Sequence, residues 1–318
     1  MIISASRRCD IPAMFSQWFI NRLSEKFALV PNPFNSKRYQ FVDLSKEAVD
    51  IIVFWTKNPR PIMRRLFEID DMGYKYYFQF TLTPYDKSIE TNLPNKDILI
   101  KTFIELSKSI GKNKVVWRYD PIILNDIYDL NYHKVMFEKF ASKLSNYTNL
   151  CYISFVDNYK NISKDMNIKT NYKSSINYIK SVAKELSIIA SNYGLEVFTC
   201  AENIDLTEFN IQKGSCINKD IIENILNGRV TVGKDKNQRK ECKCLESIDI
   251  GTYNCCTLGC KYCYANQSEL SAKERNKLHN KYSQLLIGSL AKDAIITKRD
   301  NKSVIDYQLD FFSLLNKK

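Results

Sequence analysis

Three cysteines near the C-terminus have the spacing of a loop that binds an iron–sulfur cluster. Cys256, Cys260 and Cys263 are separated by three residues and then by two, and the aromatic residue Tyr262 precedes the third cysteine. A loop this tight can place three thiolates around one cluster, which leaves one of four irons open to a small molecule. The spacing therefore predicts a [4Fe-4S] cluster whose open iron is the starting point for chemistry.

Zinc is the alternative ligand for these thiols. Cys242 and Cys244, together with two cysteines of the triplet, would make a four-thiolate zinc knuckle. The triplet lacks the paired two-residue arms of common zinc ribbons, so the cluster is favoured. Cys255 stands beside Cys256 and leaves open which of these two neighbours is the ligand.

Four cysteines outside the triplet are enough for a second metal centre. Cys200, Cys216, Cys242 and Cys244 could hold a second cluster or a structural zinc ion. Cys200 and Cys216 could instead be small buried residues, as free cysteines often are. Cys151 opens an apolar stretch and is predicted to lie in the core.

Length, charge and cysteine usage restrict the class of protein. Six of the ten cysteines lie within 242–263, and no signal peptide pattern precedes them, which favours metal ligation over disulfides. No apolar run reaches the roughly 18 residues that span a membrane. We expect a soluble cytoplasmic protein without a membrane partner. With only two histidines, a mostly histidine-ligated metal site is not expected.

The net charge of +12 could suit an anionic substrate or a nucleic acid. Lysines on solvated helix faces explain most of it more simply, so a nucleic acid is the less favoured partner. The densest basic stretch, residues 234–243, adjoins the cysteines and could also attract a small anion.

Apolar β-branched and aromatic runs alternate with amphipathic segments, which is the pattern of βα units. The predicted strands are 2–5, 27–30, 51–55, 76–82, 115–119, 151–156, 195–199 and, as the eighth, 246–251. The predicted helices are 12–25, 43–49, 59–72, 96–110, 131–146, 172–193, 219–227 and 268–286. These units predict a (β/α)8 TIM-type barrel or a partial barrel with a C-terminal cysteine-rich iron–sulfur region. A doubly wound sheet is the alternative.

Three regions follow from this reading. Residues 1–199 would form βα units of the barrel, and 200–245 an irregular insert or lid that contains cysteines. Residues 246–318 would supply the last strand, the cluster-binding loop and a C-terminal helix.

In a barrel, the residues that follow the strands gather at one mouth, where barrel enzymes keep their chemistry. Polar side chains follow most of the predicted strands, among them Asp157 and Tyr159. The charged candidates for catalysis are Arg7, Arg8, Asp10, Lys57, Arg118 and Asp120.

The segment from Cys256 to Tyr264 resembles the CxxxCxxC signature of radical S-adenosylmethionine enzymes, and its YCY ending is similar to loops in that superfamily. The resemblance implies a [4Fe-4S] cluster that binds S-adenosylmethionine, and an electron donor such as flavodoxin or ferredoxin. It also implies radical chemistry on a small-molecule or anionic substrate. In those enzymes the loop follows the first strand and a GGE-like segment follows the second, whereas here the loop lies near the end of the chain and no GGE follows.

Barrel closure could compensate for the late position of the loop. A closed barrel places its last strand beside its first, so the cysteine loop could reach the usual place by permutation. Residues 6–10 would then lie beside the cluster, and we expect Ser6, Arg7 and Tyr262 to bind the cofactor.

Seven blocks distributed over the chain resemble the bacterial family known as domain of unknown function 1848. They are ISASRRCDIPA at 3–13, FWTKNP at 54–59, FQFTLTPY at 78–85, WRYDPI at 117–122, SFVD at 154–157, CAE at 200–202 and the C-terminal segment CKCLESIDIGTYNCCTLGCKYCYAN. The resemblance implies a C-terminal iron–sulfur region and no particular reaction. Cys9 stands where the family would have Thr, so no fixed ligand role is assigned to it.

Two functions of different classes remain open. The first is a radical S-adenosylmethionine-like iron–sulfur enzyme. The second is a non-catalytic iron–sulfur or zinc protein that binds or senses nucleic acid through basic surface such as residues 234–243, with affinity that falls steeply with salt. A third, weaker interpretation is a hydrolase-like or lyase-like barrel that uses Asp and Arg with only a structural metal.

Overall fold

Eight parallel strands form the main sheet of the computed structural model, which describes residues 1–156, 175–298 and 302–307. Their spatial order is β11 (Ile248–Asp249), β1 (Ile2–Ala5), β4 (Ile51–Thr56), β5 (Tyr76–Thr81), β6 (Val115–Ile122), β7 (Leu150–Phe155), β8 (Glu196–Cys200) and β9 (Gln212–Gly214). From β1 to β9 the order follows the chain without reversal, which is barrel-like winding and not that of a doubly wound sheet. Within the described ranges β9 and β11 are the two edges, so the architecture is a partial barrel.

Nine helices are assigned in the described part of the chain. They are α1 (Ile11–Met14), α2 (Ser16–Ser24), α3 (Arg60–Met63), α4 (Leu66–Asp71), α5 (Lys96–Ile110), α6 (Leu130–Leu144), α7 (Ile176–Asn192), α8 (Lys219–Leu226) and α9 (Glu269–Asn276). The longer ones have clear boundaries: Asp129 and Ser175 cap α6 and α7 by accepting backbone N–H bonds, and Gly111 ends α5 with a positive φ. None of these helices is long and apolar enough to cross a membrane.

The strands divide their side chains between two apolar cores because successive residues point to opposite faces. Phe78 and Trp117 pack in the core on the helix side of the sheet, where Phe103 of α5 and Phe137 of α6 also lie. The alternate residues of the same strands line the inside of the partial barrel.

The inside of the partial barrel is filled partly by residues 215–217, which follow β9. Tyr77 and Gln79 of β5 both hydrogen-bond to the carbonyl oxygen of Cys216, at 2.8 and 2.7 Å, and the Tyr152 hydroxyl donates to the Ser215 carbonyl oxygen at 2.9 Å. The strands thus hold Cys216 inside the sheet. This segment joins the open edges of the sheet, because Leu245 N–H donates to the Ile217 carbonyl at 3.1 Å.

The predicted strand at 27–30 is wrong as a strand of the main sheet. It lies within β2 (Phe27–Asn32), which forms an antiparallel hairpin with β3 (Asn35–Asp43), and β12 (Ile295–Lys298) extends this separate sheet. A second small pair joins β10 (Arg229–Val230) to β13 (Ile305–Asp306). In the main sheet β1 pairs directly with β4, and the eighth strand is instead β9, an edge strand beside β8 that the sequence patterns do not predict.

Four helix predictions also need correction, and the first is the helix at 12–25, which is broken into α1 and α2. Residues 43–49 form the end of β3 and turns, the helix predicted at 268–286 ends at Asn276, and the one at 59–72 is broken into α3 and α4. The predicted start of α7 at 172 and the mouth residues Asp157 and Tyr159 lie outside the described residues.

His133 of α6 is fully buried and uncharged in the folded protein. Its Nε2–H donates to the Ile123 carbonyl at 2.8 Å, so Nδ1 accepts from the Tyr119 hydroxyl at 2.9 Å. Burial lowers the pKa of His133 to about 4 from its ordinary value of 6.5. The unfolded chain therefore takes up a proton on this imidazole before the folded chain does.

We predict that His133 makes stability depend on pH. Its stabilising contribution is complete above pH 6.5, falls as the pH decreases, and is lost below about pH 4. The free energy of unfolding changes by about 3 kcal/mol over this range. Replacing His133→Gln keeps a donor and an acceptor but removes the titration. Urea unfolding at a series of pH values should show a shallower decline in the variant, and equal declines would contradict this role.

Candidate functional site

A cleft of about 1080 Å³ lies at the carboxyl ends of the main-sheet strands. It is lined by all of the charged residues that the sequence singled out, namely Arg7, Arg8, Asp10, Lys57, Arg118 and Asp120. It is also lined by Ser6, Tyr262 and the cysteines Cys200, Cys216, Cys242, Cys244, Cys256, Cys260 and Cys263. The sequence candidates therefore converge on one place.

The carboxylate of Asp249 connects the end of β11 to the loop after β1. It accepts hydrogen bonds from Ser4 Oγ at 2.8 Å, Ser6 Oγ at 2.6 Å, the Arg7 backbone N–H at 2.7 Å and the Gly251 N–H at 3.0 Å. The two loops are in close contact here, because a Cβ at Gly251 would lie only 2.6 Å from the Ser6 Cβ. The chain that leaves β11 toward the cysteine loop thus starts against the end of β1.

Asp10 fixes the rest of the loop after β1. Its Oδ1 accepts from Ala13 N–H at 2.9 Å at the start of α1, and its Oδ2 accepts from Lys57 N–H at 2.7 Å after β4. Burial raises the pKa of Asp10 to about 6, although these backbone N–H groups favour its ionised form. Asp10 also acts electrostatically on Cys256, so it lies close to the cysteine loop.

Glu90 supports the cysteine loop from the other side. Residue 90 forms an antiparallel bridge with residue 260, and the buried Glu90 carboxylate accepts from Lys57 Nζ at 2.7 Å, from Lys96 Nζ and from the Tyr262 hydroxyl. Burial alone would raise the pKa of Glu90, but Lys57 and Lys96 lower it to about 2. This ion network therefore holds the backbone of Cys260 and the ring of Tyr262 in place.

The three thiols of the cysteine loop share one wall of the cleft and are half-buried. In the described part of the chain they act on one another through charge, without sulfur–sulfur hydrogen bonds among the three. Burial raises the pKa of each thiol, while Lys57 partly opposes this effect for Cys260 and Cys263. The neutral thiol is favoured at neutral pH unless a metal ion displaces the proton.

The two adjacent cysteines face in different directions. Cys255 is completely buried and donates to the Thr252 carbonyl at 3.0 Å, and its thiol also interacts with that of Cys9. Cys256 lines the cleft. Gly259 has φ +70°, a conformation that shapes the turn between Cys256 and Cys260 and that L residues rarely adopt.

Four other thiols meet on a different wall of the same cleft, and we call them the four-thiol group: Cys200, Cys216, Cys242 and Cys244. The Sγ atoms of Cys200 and Cys216 are 3.0 Å apart. The Cys244 thiol interacts in turn with those of Cys216 and Cys242. Within the described ranges, no three His, Cys, Asp or Glu groups already stand at the positions of a metal-ion site. In the four-thiol group each thiol interacts with at least one other thiol of the group.

Arg7 and Arg118 lie over the ring of Trp55 at the end of β4, with guanidinium carbons 5.8 and 5.2 Å from its centroid. Arg118 also forms an ion pair with Asp120, and Arg7 hydrogen-bonds to Ser247 Oγ at 2.8 Å. The cleft thus offers fixed positive and negative groups around an aromatic face.

Ser6 and Tyr262 are engaged in internal hydrogen bonds. The Ser6 hydroxyl donates to Asp249 and accepts from Arg8 N–H at 2.9 Å, and the Tyr262 hydroxyl donates to Glu90. Both are nearly buried, so these residues position the loops that flank the cleft.

Sequence reasoning missed Asp249 and Glu90. Asp249 is an acidic residue within an apolar strand pattern, a signal that could have identified it, because a buried carboxylate needs partners. Glu90 lies in a turn nine positions beyond the end of β5, where no periodic pattern distinguishes it.

Comparisons with known proteins give one family and little else. A family model described as domain of unknown function (DUF1848) matches residues 2–265. No curated protein matches. A crystal structure from Bacteroides thetaiotaomicron VPI-5482, described as a "putative alpha-L-fucosidase", shares 11% identity over 56% of this chain and 72% of its own, with a TM-score of 0.24. A similarity this weak supports no argument about the present chain.

We predict that Glu90→Gln destabilises the protein by about 3–5 kcal/mol, because it leaves two largely buried ammonium groups without their carboxylate. The matched control is Glu105→Gln, which breaks an exposed pair with Arg60 and should cost less than about 1 kcal/mol. Urea unfolding of both variants measures the difference. Equal losses would show that Glu90 does not hold the loop.

Proposed function

The chain belongs to the family described as domain of unknown function (DUF1848), and because that description names no reaction, we propose a function from the cleft itself. The protein is an iron–sulfur enzyme similar to radical S-adenosylmethionine enzymes, with a [4Fe-4S] cluster on Cys256, Cys260 and Cys263. The observation that carries the proposal is the position of this loop: it follows β11, β11 pairs with β1, and all three thiols line the cleft.

The residues present fit such a cluster. Thiolates are the usual protein ligands of iron–sulfur clusters, and three of them leave one iron open. The three thiols act on one another through charge and all line the cleft, so one group bound there could take all three as ligands. When bound, the cluster would supply an electron that cleaves the sulfonium C–S bond of S-adenosylmethionine and starts radical chemistry.

Lys57 has the clearest role among the surrounding residues. Glu90 holds its ammonium group, which lies 5.1 Å from the centroid of the Tyr262 ring and acts electrostatically on Cys260. A cation in this place offsets negative charge on the thiolates. In this proposal Lys57 therefore stabilises the cysteine loop in its metal-binding form.

Arg8 is the cleft arginine best placed for an anionic group of the cofactor. Its side chain is 23% exposed, against 14% for Arg7 and 8% for Arg118. Its guanidinium lies 5.3 Å from the Tyr253 ring centroid and reaches the Gly251 carbonyl at 3.3 Å, directly after β11. A carboxylate bound there would sit between the loop after β1 and the cysteine loop.

The substrate would bind in the cleft beside Trp55 and its two arginines. Arg7 and Arg118 flank its ring, and Asp120 adds a carboxylate, so the pocket suits a small polar or anionic molecule. An external donor such as flavodoxin or ferredoxin would reduce the cluster. All ten cysteines are free, which suits a reducing compartment such as the cytoplasm.

A non-catalytic iron–sulfur or zinc protein that binds or senses nucleic acid is the second candidate. Lys234, Lys236, Lys240 and Lys243 are exposed on one stretch, and its Arg239 lines the cleft. Binding through this stretch would weaken steeply as salt increases. The charged side chains gathered at the cleft favour the enzyme, because a protein that binds nucleic acid through this surface stretch does not need them.

We predict that anaerobically prepared protein binds iron and sulfide, and that with dithionite and S-adenosylmethionine it releases 5′-deoxyadenosine. Cys260→Ala should lose this release and the iron of the loop, because two thiolates do not hold the cluster. Cys151→Ala is the matched control, since Cys151 is a buried cysteine of β7 away from both thiol groups. Iron analysis and chromatography measure the outcome. A fully loaded wild type that forms no more 5′-deoxyadenosine than Cys260→Ala would refute the proposal.

A further inference from the structure

We infer that the four-thiol group is a second metal centre, separate from the cysteine loop, which holds one tetrahedral thiolate-bound ion of the Zn²⁺ type. This centre lies where the main sheet is open. Cys200 ends β8, Cys216 comes two residues after β9, and Cys242 and Cys244 precede β11. Three distant segments of the chain thus bring four thiols to the seam between the edge strands.

In the described residues, the main sheet has no strand pairing across this seam. Within the described residues, β9 and β11 do not pair, and the Leu245 N–H bond to the Ile217 carbonyl joins their neighbouring segments. An ion bound to Cys200, Cys216 and Cys244 would connect the end of β8 to both sides of the seam. Such an ion would crosslink the two edges of the partial barrel and stabilise its fold, as structural zinc does in small domains.

Sulfur separation favours a single ion over a cluster. In a tetrahedral zinc site the Zn–S bonds are about 2.3 Å, which places neighbouring sulfurs about 3.8 Å apart. The Cys200 and Cys216 sulfurs are 3.0 Å apart, so they need to separate by less than about 1 Å to admit the ion. A four-iron cluster would spread its thiolates over different irons and would require a much larger rearrangement.

Charge and hydrogen bonds around the group also suit thiolates. Four thiolates and Zn²⁺ carry a net charge of −2, and two guanidinium groups face them: Arg118 donates to Cys216 Sγ, and Arg7 interacts with Cys244. The Ile217 N–H donates to Cys244 Sγ at 3.4 Å. Such donors outside the ligand shell orient thiolates and stabilise their charge.

The surroundings exclude water, as a structural site requires. Cys216, Cys242 and Cys244 are buried, and they pack with Ile217 and Ile222 in the core inside the partial barrel. Cys200 is less buried and lies at the rim of that core. The ion would therefore face the cleft on one side only.

The test separates the two thiol groups. The full-length chain in which Cys256, Cys260 and Cys263 are all replaced by Ala is prepared anaerobically with Zn²⁺, and we expect one tightly bound zinc ion per chain. Adding Cys242→Ser and Cys244→Ser to this variant should reduce bound zinc at least about tenfold, because two ligands are lost. Adding Cys151→Ala instead should leave zinc unchanged.

A second measurement does not depend on the folding of those variants. Co²⁺ bound to the triple-Ala chain should give the near-ultraviolet thiolate charge-transfer bands and strong visible bands of tetrahedral thiolate coordination, and Zn²⁺ should displace them. Zinc should also raise the melting temperature. Stoichiometric iron and sulfide in the triple-Ala chain would overturn the single-ion assignment in favour of a cluster. Absence of both metal and cobalt bands, or formation of a Cys200–Cys216 disulfide, would overturn the metal centre altogether. Failure of the proposed radical chemistry would leave these results unaffected.

Discussion

The candidate site depends on the hydrogen bonds of one carboxylate, that of Asp249. It accepts from two hydroxyls and one backbone N–H of the segment at β1 and from the backbone just after β11, and so attaches a strand of only two residues to the first strand of the sheet. A two-residue strand forms few ladder bonds of its own. The side-chain bonds of Asp249 therefore determine where the cysteine loop begins, and they explain how a motif near residue 260 comes to lie beside residues 6–10.

A second set of charged side chains holds the other end of the cysteine loop, away from Asp249. Glu90 is buried between Lys57 and Lys96, and its turn pairs with the backbone at Cys260. Lys57 also lies next to Asp10, whose side chain accepts from the Lys57 N–H. Because buried charges are costly without partners, such a network persists only in one geometry. The loop is thus held between two carboxylates while its thiols remain open to the cleft.

The sequence predicts a helix or strand correctly where the local pattern of apolar residues is enough to specify that element. The 15-residue helix α5 has the bounds that were predicted, and β5 differs from its prediction by one residue. Strand β6 was found, but it runs three residues beyond its predicted end at 119. The strand at 27–30 was misplaced because its apolar pattern fits a hairpin as well as a barrel strand, and only its pairing with β3 distinguishes the two. The strand β9, Gln-Lys-Gly, has no apolar pattern to detect.

The same distinction applies to the site: local patterns predict some of its residues, and others depend on contacts between distant parts of the chain. The charged residues after the strands could be predicted because parallel strands bring their carboxyl ends to one edge. That Ser6 and Tyr262 turn inward could not, since this depends on Asp249 and Glu90, which come from distant parts of the chain. The interactions among the four thiols likewise arise from three segments that meet at the open edges of the sheet.

The central claim is that the cysteine loop holds a cluster with an iron open to S-adenosylmethionine. Electron paramagnetic resonance of the dithionite-reduced protein, recorded before and after S-adenosylmethionine is added, tests it most directly. We predict the signal of a reduced [4Fe-4S] cluster whose g values shift when S-adenosylmethionine binds. A cluster signal that does not change on addition, or no cluster signal from protein loaded with iron and sulfide, would contradict it.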